Sequence, residues 1–390
     1  MITNHIIADN IITSLGFSSE ENINGILDGK IGITDHQDVS LSNSPINLSL
    51  VDTNLLNNRF EYVLRTNNQN FPDGSFTRLE KLFILSIHDA LSKSDFNHRE
   101  KRVLLVISST KGNIDLLEER YKAKFNHKRL FLWELGKVIG NFFGFINPPL
   151  IISNACISGA LAIAIASRWI QKGLYDYAVV AGGDIMSGFV ISGFHSFQAL
   201  SPEPCKPYDI NRHGLTLGEG CGTIILTGME QPPGSSSVRV VGSAISNDAN
   251  HISGPSRTGQ ELSFAINTSM KEAGLSSRDI DYISAHGTAT LYNDEMESKA
   301  IGLSGLNEVP LNSFKGYWGH TLGAAGIIES VAAFHSLTCN TLFRSAGFES
   351  LGVSEPLRVI EKNTSCKLNT CLKTASGFGG CNAVIIFQKN

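Results

Sequence analysis

Aliphatic runs typical of buried strands alternate along this chain with segments of helical pattern, and the alternation starts again past its middle. Residues 101–108 and 177–183 are continuous apolar runs, which favour strands buried on both faces. Residues 231–237 have the Pro, Gly and Ser content of a linker, and strands and helices alternate again beyond them. This order predicts a layered α/β architecture. We expect two halves, residues 1–231 and 238–390.

Apolar spacing in other segments predicts the remaining elements. Helices are expected at 78–92, 112–126, 130–143, 159–172, 259–273, 294–302 and 324–337, and strands at 149–153, 223–227, 238–246, 280–285 and 382–388. Residues 37–75 are rich in Asn, Ser and Asp, and that composition predicts irregular surface structure.

Cys156 stands between the predicted strand 149–153 and the predicted helix 159–172, which Gly173 closes. A thiol at a helix N-terminus meets unpaired N–H groups and the positive end of the helix dipole, which predict a lowered thiol pKa. Its neighbours are small, so a substrate has room to approach the sulfur. A nucleophilic cysteine is one interpretation. The other is a buried structural cysteine, as most free cysteines are.

Charge and cysteine content exclude several classes of protein. The chain has 32 basic and 36 acidic residues, a balance that argues against a general nucleic-acid binder. Its seven cysteines are odd in number and form no Cys-x-x-Cys pair, which predicts a reducing compartment without structural zinc. The N-terminal residues lack the pattern of a signal peptide, and the apolar run 156–167 is too short to span a membrane. We therefore expect a cytoplasmic protein without a membrane partner.

A basic segment, residues 120–129, interrupts this slightly acidic chain. It is either a solvated surface or a docking patch for an acidic partner, in which Lys128 and Arg129 are the candidate contacts.

Three further motifs carry polar groups suited to catalysis. His286 directly follows the predicted strand 280–285, where the sites of α/β proteins usually lie. His320 stands between glycines, just before a predicted helix. Residues 376–382 form a Gly-rich loop that can direct backbone N–H groups at a ligand. Together with Cys156 they form a Cys–His constellation of the kind used in nucleophilic catalysis.

These motifs resemble the β-ketoacyl-acyl carrier protein synthases of the elongating, Cys-His-His type, in the thiolase superfamily. The resemblance extends from about residue 10 to the C-terminus. The matching motifs are Cys156, His-Gly-Thr-Ala-Thr at 286–290, Lys-x-x-x-Gly-His-x-x-Gly-Ala-Ala-Gly at 315–326, Gly-Phe-Gly-Gly at 377–380, Gly-Phe at 193–194, Ala-Leu-Ser at 199–201, Lys-Pro-Tyr-Asp at 206–209 and Gly-x-x-x-Gly-Glu-Gly at 214–220.

The resemblance implies the thiolase fold, with two pseudo-duplicated layered α/β/α/β/α halves and a site between them. It implies a 3-oxoacyl-[acyl carrier protein] synthase, usually a homodimer, whose partner is an acyl carrier protein. Cys156 would hold the acyl group, His286 and His320 would act on the malonyl donor, and Lys315 would support the histidines. The first half would supply the cysteine and the second half both histidines.

The same resemblance assigns the remaining candidate residues. The backbone N–H groups of Cys156 and Phe378 would form an oxyanion hole, and the Phe378 ring would gate the acyl pocket. Thr288 and Thr290 would contact the phosphopantetheine of the carrier protein. No metal or separate cofactor is implied, which agrees with the lack of metal-ligand spacing in the sequence.

Several residues depart from the family pattern near the expected acyl pocket. Large side chains predict a specialised acyl chain, such as an aryl or polyene chain, and Phe194 and Trp318 are taken as substrate-binding candidates. Tyr317 and Trp318 either shape the pocket or pack on its outer side. The departures are Ala289, Tyr317, Trp318, His195, Phe197, Gln198 and Cys381.

Alternative activities stay open at this point. A thiolase-type acyltransferase commonly has a second catalytic cysteine, which Cys381 and its neighbours do not supply. Initiating synthases use Cys, His and Asn as catalytic residues, whereas the third position in this chain is His286. A ketosynthase-like chain-length partner subunit usually lacks the nucleophile that Cys156 provides, although a heterodimer with such a paralogue is compatible with the sequence.

Overall fold

The structure, a computed structural model, describes residues 3–38, 40–42, 44–66, 71–72, 74–121, 124–231, 237–251 and 254–390. The strands are β1 Asn4–Ile12, β2 Thr34–His36, β3 Ile46–Ser49, β4 Val103–Ser108, β5 Leu150–Ile152, β6 Tyr177–Asp184, β7 Leu217–Gly218, β8 Gly220–Thr227, β9 Val238–Asn247, β10 Tyr282–Ser284, β11 Leu311–Asn312, β12 Thr341–Leu342, β13 Thr364–Ser365, β14 Thr370–Gly377 and β15 Cys381–Lys389. The helices are α1 Ser19–Leu27, α2 Thr53–Thr66, α3 Arg78–Ser92, α4 Leu132–Phe143, α5 Ser158–Gln171, α6 Gly188–Ser196, α7 Gln260–Ala273, α8 Leu291–Leu303, α9 Lys315–Trp318 and α10 Ala325–Cys339.

The strand order repeats between the two halves of the chain. Ten strands are hydrogen-bonded in the order β11-β10-β14-β15-β9-β1-β8-β6-β4-β5. In the first half β4 pairs in parallel with β5 and β6, and the pairs β6–β8 and β8–β1 are antiparallel. In the second half β10 pairs in parallel with β11 and β14, and the pairs β14–β15 and β15–β9 are antiparallel. The halves meet where β1 pairs with β9.

Alternating side chains of the central strands face different layers, as the period of two in a strand requires. Leu104 and Val106 of β4 belong to a core shared with α5, α10 and the second half of the sheet. Leu105 and Ile107 face a separate core with α3 and α4. In β15, Ile385 faces the shared core, and Ile386 faces a third core with α7 and α8. The layers are therefore α/β/α/β/α, as expected from the resemblance.

The central helices α5 and α10 are in close contact at their N-terminal ends because glycines stand at the crossing. A Cβ atom added at Gly159 of α5 would lie 2.8 Å from the Ile327 nitrogen and 2.9 Å from the Gly323 carbonyl oxygen. One added at Gly326 of α10 would clash with the backbone of Ala160. The glycines thereby bring the loops that precede the two helices together, and these loops carry Cys156 and His320.

The helix Leu322–Cys339, which includes α10, is apolar enough to pass a test for a membrane span. It is 83% buried inside the protein, as expected for the core helix of a layered fold. No other described helix of that length passes the test.

Most predicted elements are confirmed, but two segments were predicted wrongly. Residues 53–66, expected to be irregular, form the amphipathic helix α2, which buries Leu56, Phe60 and Val63. Residues 112–126, expected to be helical, contain only short 3₁₀ turns in their described part. Residues 232–236 of the predicted linker lie outside the described residues, so the division into domains there stays a prediction.

Candidate active site

Cys156 lies on a tight turn between β5 and α5. Ala155 has a φ of 43°, a left-handed conformation that is uncommon for a residue other than glycine. The Ser158 hydroxyl stabilises the turn, because it donates to the Ala155 carbonyl at 2.6 Å and accepts the Asn154 N–H at 2.8 Å. The Cys156 side chain is thereby held just before the helix, with 7% of the residue exposed.

Most of the predicted site residues line one cavity of about 460 Å³. Cys156 lines this cavity with both histidines, so the predicted nucleophile and the predicted donor-binding residues face one space. The other predicted residues on its wall are Thr288, Thr290, Phe194 and Phe378.

The Cys156 thiol is neutral, contrary to the prediction of a lowered pKa. Burial raises the pKa of the Cys156 thiol to about 12, and the nearby Cys381 adds to the increase. Lys315 and Lys111 act in the opposite direction, but they do not offset the loss of water around the sulfur. Attack by this sulfur must therefore coincide with loss of its proton.

His286 is a neutral imidazole whose Nε2 carries the proton. Burial, and secondarily the positive charge of Lys315, hold the pKa of His286 well below its usual range. Its Nδ1 lies 3.3 Å from the Lys315 Nζ, which as an ammonium group only donates. Because Nδ1 accepts, the single proton of the neutral ring is on Nε2.

His320 has the same tautomer for a different reason. The backbone N–H of Leu322 donates to Nδ1 of His320 at 3.2 Å. Burial, and then Lys315, hold the pKa of His320 well below its usual range. The two imidazole rings lie edge to face with centroids 5.2 Å apart. The cavity therefore has two neutral rings, each with an N–H donor at Nε2.

A buried charge network behind the histidines was not predicted from the sequence. The Nζ of Lys315 lies 2.6 Å from one carboxylate oxygen of Glu329, and the Nζ of Lys373 lies 2.7 Å from the other. Lys315 also donates to the His286 carbonyl at 2.5 Å. All three charged side chains are fully buried. Glu329 therefore fixes the ammonium group that orients His286.

Two carboxylates of α8, also not predicted, hold the backbone around His286. Glu297 accepts the N–H groups of His286 and Gly287 at 2.9 and 2.8 Å. Asp294 accepts the N–H of Thr288 at 2.9 Å. These bonds allow the loop to turn sharply, and Ala289 in it has a φ of 63°. Burial raises the pKa of Asp294 to about 6.

A fourth unpredicted carboxylate, Asp184 at the end of β6, links the loop after β4 to the loop before α10. It accepts the Ser109 hydroxyl and the Gly323 N–H, both at 2.7 Å. Gly323 follows His320 in the chain, so Asp184 anchors the histidine loop of the second half to the sheet of the first.

The Gly-rich loop lies against the nucleophile. A Cβ atom added at Gly377 would lie 3.0 Å from the backbone nitrogen of Cys156. Gly379 and Gly380 have positive φ values, which glycine adopts readily. Phe378 contacts the rings of Phe194 and Phe197, with centroids 5.6 and 5.2 Å away.

Two predicted site residues are elsewhere. Trp318 does not line the cavity, because its indole is fully buried and stacks on Phe314 in the core between the sheets. Arg129 is not available as a docking residue, because its guanidinium pairs with the buried carboxylate of Glu80. Lys128 is exposed and stays a docking prediction. Within the described ranges, no group of three or more His, Cys, Asp or Glu residues could hold a metal ion.

Known proteins resemble this chain in sequence and in fold. Family models described as Beta-ketoacyl synthase, N-terminal domain and C-terminal domain match residues 77–231 and 238–349. The 3-oxoacyl-[acyl-carrier-protein] synthase 2 of Vibrio cholerae is 32% identical over 317 residues, which are 74% of this chain and 76% of that protein.

Two solved structures share the fold along the whole chain. A structure of a ketosynthase in complex with its chain length factor from Xenorhabdus doucetiae matches with a TM-score of 0.85 and 24% identity, covering 100% of this chain and 98% of that one. The ishigamide ketosynthase/chain length factor matches with a TM-score of 0.89 and 23% identity, covering 100% and 99%.

Proposed function

This chain belongs to the beta-ketoacyl synthase family, and we propose that it joins an acyl group held on Cys156 to a malonyl group held on an acyl carrier protein. It is an acyltransferase that forms a carbon–carbon bond, a 3-oxoacyl-[acyl carrier protein] synthase. The observation that carries the proposal is a cysteine that shares one cavity with two neutral imidazoles, each with a proton on Nε2.

In the first step the Cys156 sulfur attacks the thioester of the acyl-carrier protein. A new thioester forms on Cys156, and the thioester bond to the carrier breaks. Because the resting thiol is neutral, its proton passes to the departing carrier thiol, which leaves uncharged. The backbone N–H groups of Cys156 and Phe378 would bind the oxyanion, and the contact between Gly377 and the Cys156 backbone supports this role.

In the second step a malonyl thioester loses carbon dioxide and leaves an enolate. The Nε2–H groups of His286 and His320 would donate to the enolate oxygen as negative charge develops there. Neutral rings suit this role, because each can donate from Nε2 while Nδ1 accepts from Lys315 or Leu322. Lys315 would act through His286 rather than on the substrate.

In the third step the enolate carbon attacks the thioester carbon on Cys156. The carbon–sulfur bond to Cys156 breaks, the sulfur regains a proton, and a 3-oxoacyl chain that is two carbons longer stays on the carrier. Thr288 and Thr290 line the cavity with hydroxyl groups 2.9 Å apart, which supports contact with the phosphopantetheine arm. The carrier brings that group, and the reaction needs no further cofactor.

The aromatic wall of the cavity supports a flat, unsaturated acyl chain, aryl or polyene, as the substrate. On that wall Phe378 contacts both Phe194 and Phe197, and aromatic faces favour planar π systems. Phe378 would gate the pocket, since it follows Gly377 and precedes two glycines in left-handed conformations.

The protein works with an acyl carrier protein and as a dimer, and its fold is compatible with a homodimer or with a heterodimer containing a ketosynthase-like paralogue. Lys128 stays a candidate contact for the acidic carrier, and Lys128→Glu should weaken carrier binding at low salt.

The domain boundary proposed near 231–237 is supported by the ends of the two family matches. We propose a cytoplasmic location, which the seven free cysteines support.

The test is the mass of the intact protein after incubation with a panel of acyl-carrier thioesters. We expect a single adduct, mapped to Cys156, with aryl and polyenoyl chains loading faster than saturated chains of equal length. Cys156→Ala should give no adduct, whereas Cys381→Ser, which removes the neighbouring thiol, should still be loaded. An adduct on Cys156→Ala would refute the assignment of the nucleophile.

A further inference from the structure

Tyr208 belongs to the Lys-Pro-Tyr-Asp motif of residues 206–209, to which the reaction described above assigns no role. Its side chain is fully buried, and its φ of 65° is a left-handed conformation that is costly for a bulky residue. A Cβ atom added at Gly287 would lie 2.8 Å from the Tyr208 ring. The tyrosine ring is therefore packed against the residue that follows His286.

Tyr208 contacts both carboxylates of α8 that hold the His286 loop. Its backbone N–H donates to the Asp294 Oδ2 at 2.8 Å, and its hydroxyl donates to the Glu297 Oε2 at 2.6 Å. Tyr208 lies in the first half of the chain, whereas both carboxylates lie in the second. The tyrosine therefore joins the two halves directly at the loop that carries His286.

Glu297 is a fully buried carboxylate whose hydrogen-bond donors are all uncharged. Its Oε1 accepts the His286 N–H and the Thr374 hydroxyl. Its Oε2 accepts the Gly287 N–H and the Tyr208 hydroxyl. A carboxylate has about four acceptor sites, so these four donors satisfy it. Because a buried charge is costly when a donor is missing, the Tyr208 hydroxyl helps to keep the carboxylate in place.

We propose that Tyr208 is a positioning residue for malonyl decarboxylation, whose hydroxyl holds the Glu297 carboxylate where it fixes the backbone of His286. This role rests on the proposed function, in which His286 donates to the enolate oxygen. Tyr208 does not line the cavity, so it acts through Glu297 and not on the substrate. Without the hydroxyl, Glu297 must take up a proton or move toward another donor. Either change loosens the N–H bonds of residues 286 and 287 and displaces the imidazole from the enolate.

The acylation of Cys156 provides a contrast within the same protein. In the proposed reaction this first step uses the backbone N–H groups of Cys156 and Phe378 and does not use the His286 ring. A positioning role for Tyr208 therefore predicts slow decarboxylation with normal acylation. A general loss of structure would slow both steps.

The experiment measures carbon dioxide release from the malonyl carrier and acylation of Cys156 in wild type, Tyr208→Phe and Tyr282→Phe. The Tyr282 hydroxyl is also fully buried and donates to a side chain, that of Asn312, so Tyr282→Phe is the matched control. We expect Tyr208→Phe to release carbon dioxide about ten-fold more slowly, a factor typical of one hydrogen bond to a charged group, with its acylation rate unchanged. Tyr282→Phe should keep both rates.

Unchanged carbon dioxide release in Tyr208→Phe, or an equal decrease in both steps, would overturn the role of Tyr208. This result differs from a failure of the proposed function, in which the wild-type protein itself would release no carbon dioxide from the malonyl carrier.

A double-mutant cycle tests whether Tyr208 acts through Glu297. Glu297→Gln should slow carbon dioxide release, and the addition of Tyr208→Phe should slow it by less than about two-fold more, because the carboxylate that the hydroxyl holds is already absent. Losses that multiply would overturn the coupling.

If these variants do not fold, proton NMR of the wild-type protein decides. A hydroxyl that donates to a carboxylate forms a stronger hydrogen bond than one that donates to a neutral amide. The hydroxyl proton of Tyr208 should therefore appear at lower field than that of Tyr282, which donates to Asn312. An equal or higher-field signal from Tyr208 would overturn the proposal.

Discussion

Substitution of Gly159 by alanine tests whether the contact between α5 and α10 holds the active site together. A methyl group there would lie 2.8 Å from the Ile327 nitrogen and 2.9 Å from the Gly323 carbonyl oxygen. Both are backbone atoms, so the helices must move apart by about 0.5 Å to reach ordinary van der Waals contact. The helical preference of alanine returns at most about 1 kcal/mol, whereas overpacking a tight core costs about 1–3 kcal/mol.

We therefore expect Gly159→Ala to lower the free energy of unfolding by about 1–2 kcal/mol, measured by urea denaturation. The condensation rate should fall about ten-fold, because the movement shifts the His320 loop relative to Cys156, and a displacement of 1 Å can cost about a hundred-fold. Gly193→Ala is the control, since a Cβ atom there has no neighbour within 4 Å. If Gly159→Ala is as stable and as active as Gly193→Ala, the reasoning about this crossing is refuted.

Three further predictions concern charge and protonation. Glu329→Gln leaves two buried lysines without their carboxylate and should lower the free energy of unfolding, measured in urea, by about 3–5 kcal/mol. The control Glu295→Gln removes a partly exposed pair with Lys299 and should lower it by less than about 1 kcal/mol. Equal losses in the two variants would contradict the buried network. His320→Ala should suppress carbon dioxide release from the malonyl carrier while Cys156 is still acylated, and unchanged release would show that His320 does not stabilise the enolate. His335 pairs with Asp9, and its pKa in the folded protein is raised from 6.5 to about 9. Its contribution to stability should therefore be complete below about pH 6.5 and be lost as the pH rises through about 9. Melting temperatures of wild type and His335→Gln that differ by the same amount over this whole range would contradict the pairing of His335 with Asp9.

The residues that the sequence predicted correctly are those whose signal is local. Cys156 follows an aliphatic run and precedes a helix, and His320 stands between glycines, so the neighbouring residues alone indicate their setting. The lowered pKa expected for Cys156 was wrong, because the local pattern reports the helix N-terminus and not the depth of burial. The prediction that Trp318 binds substrate was also wrong, because its indole stacks on Phe314 in the core. Its position two residues before His320 does not tell on which side of the loop the indole lies.

The carboxylates that hold the site were missed because their partners come from distant parts of the chain. Glu329 meets Lys315 and Lys373 only after α10 and β14 pack side by side, and β14 itself was not predicted. One signal was available, since a glutamate in a helix as apolar as α10 indicates a buried partner. For α2, the Asn-rich composition concealed a helical spacing of Leu56, Phe60 and Val63.

The central claim is that two neutral imidazoles, both protonated on Nε2, face the cavity beside Cys156. Ring-nitrogen NMR of protein labelled with ¹⁵N-histidine measures this directly, with His286→Ala and His320→Ala used to assign the signals. At neutral pH we expect both rings to be neutral, with the proton on Nε2 and an unprotonated Nδ1. A doubly protonated ring at either position, or a proton on Nδ1, would contradict the account.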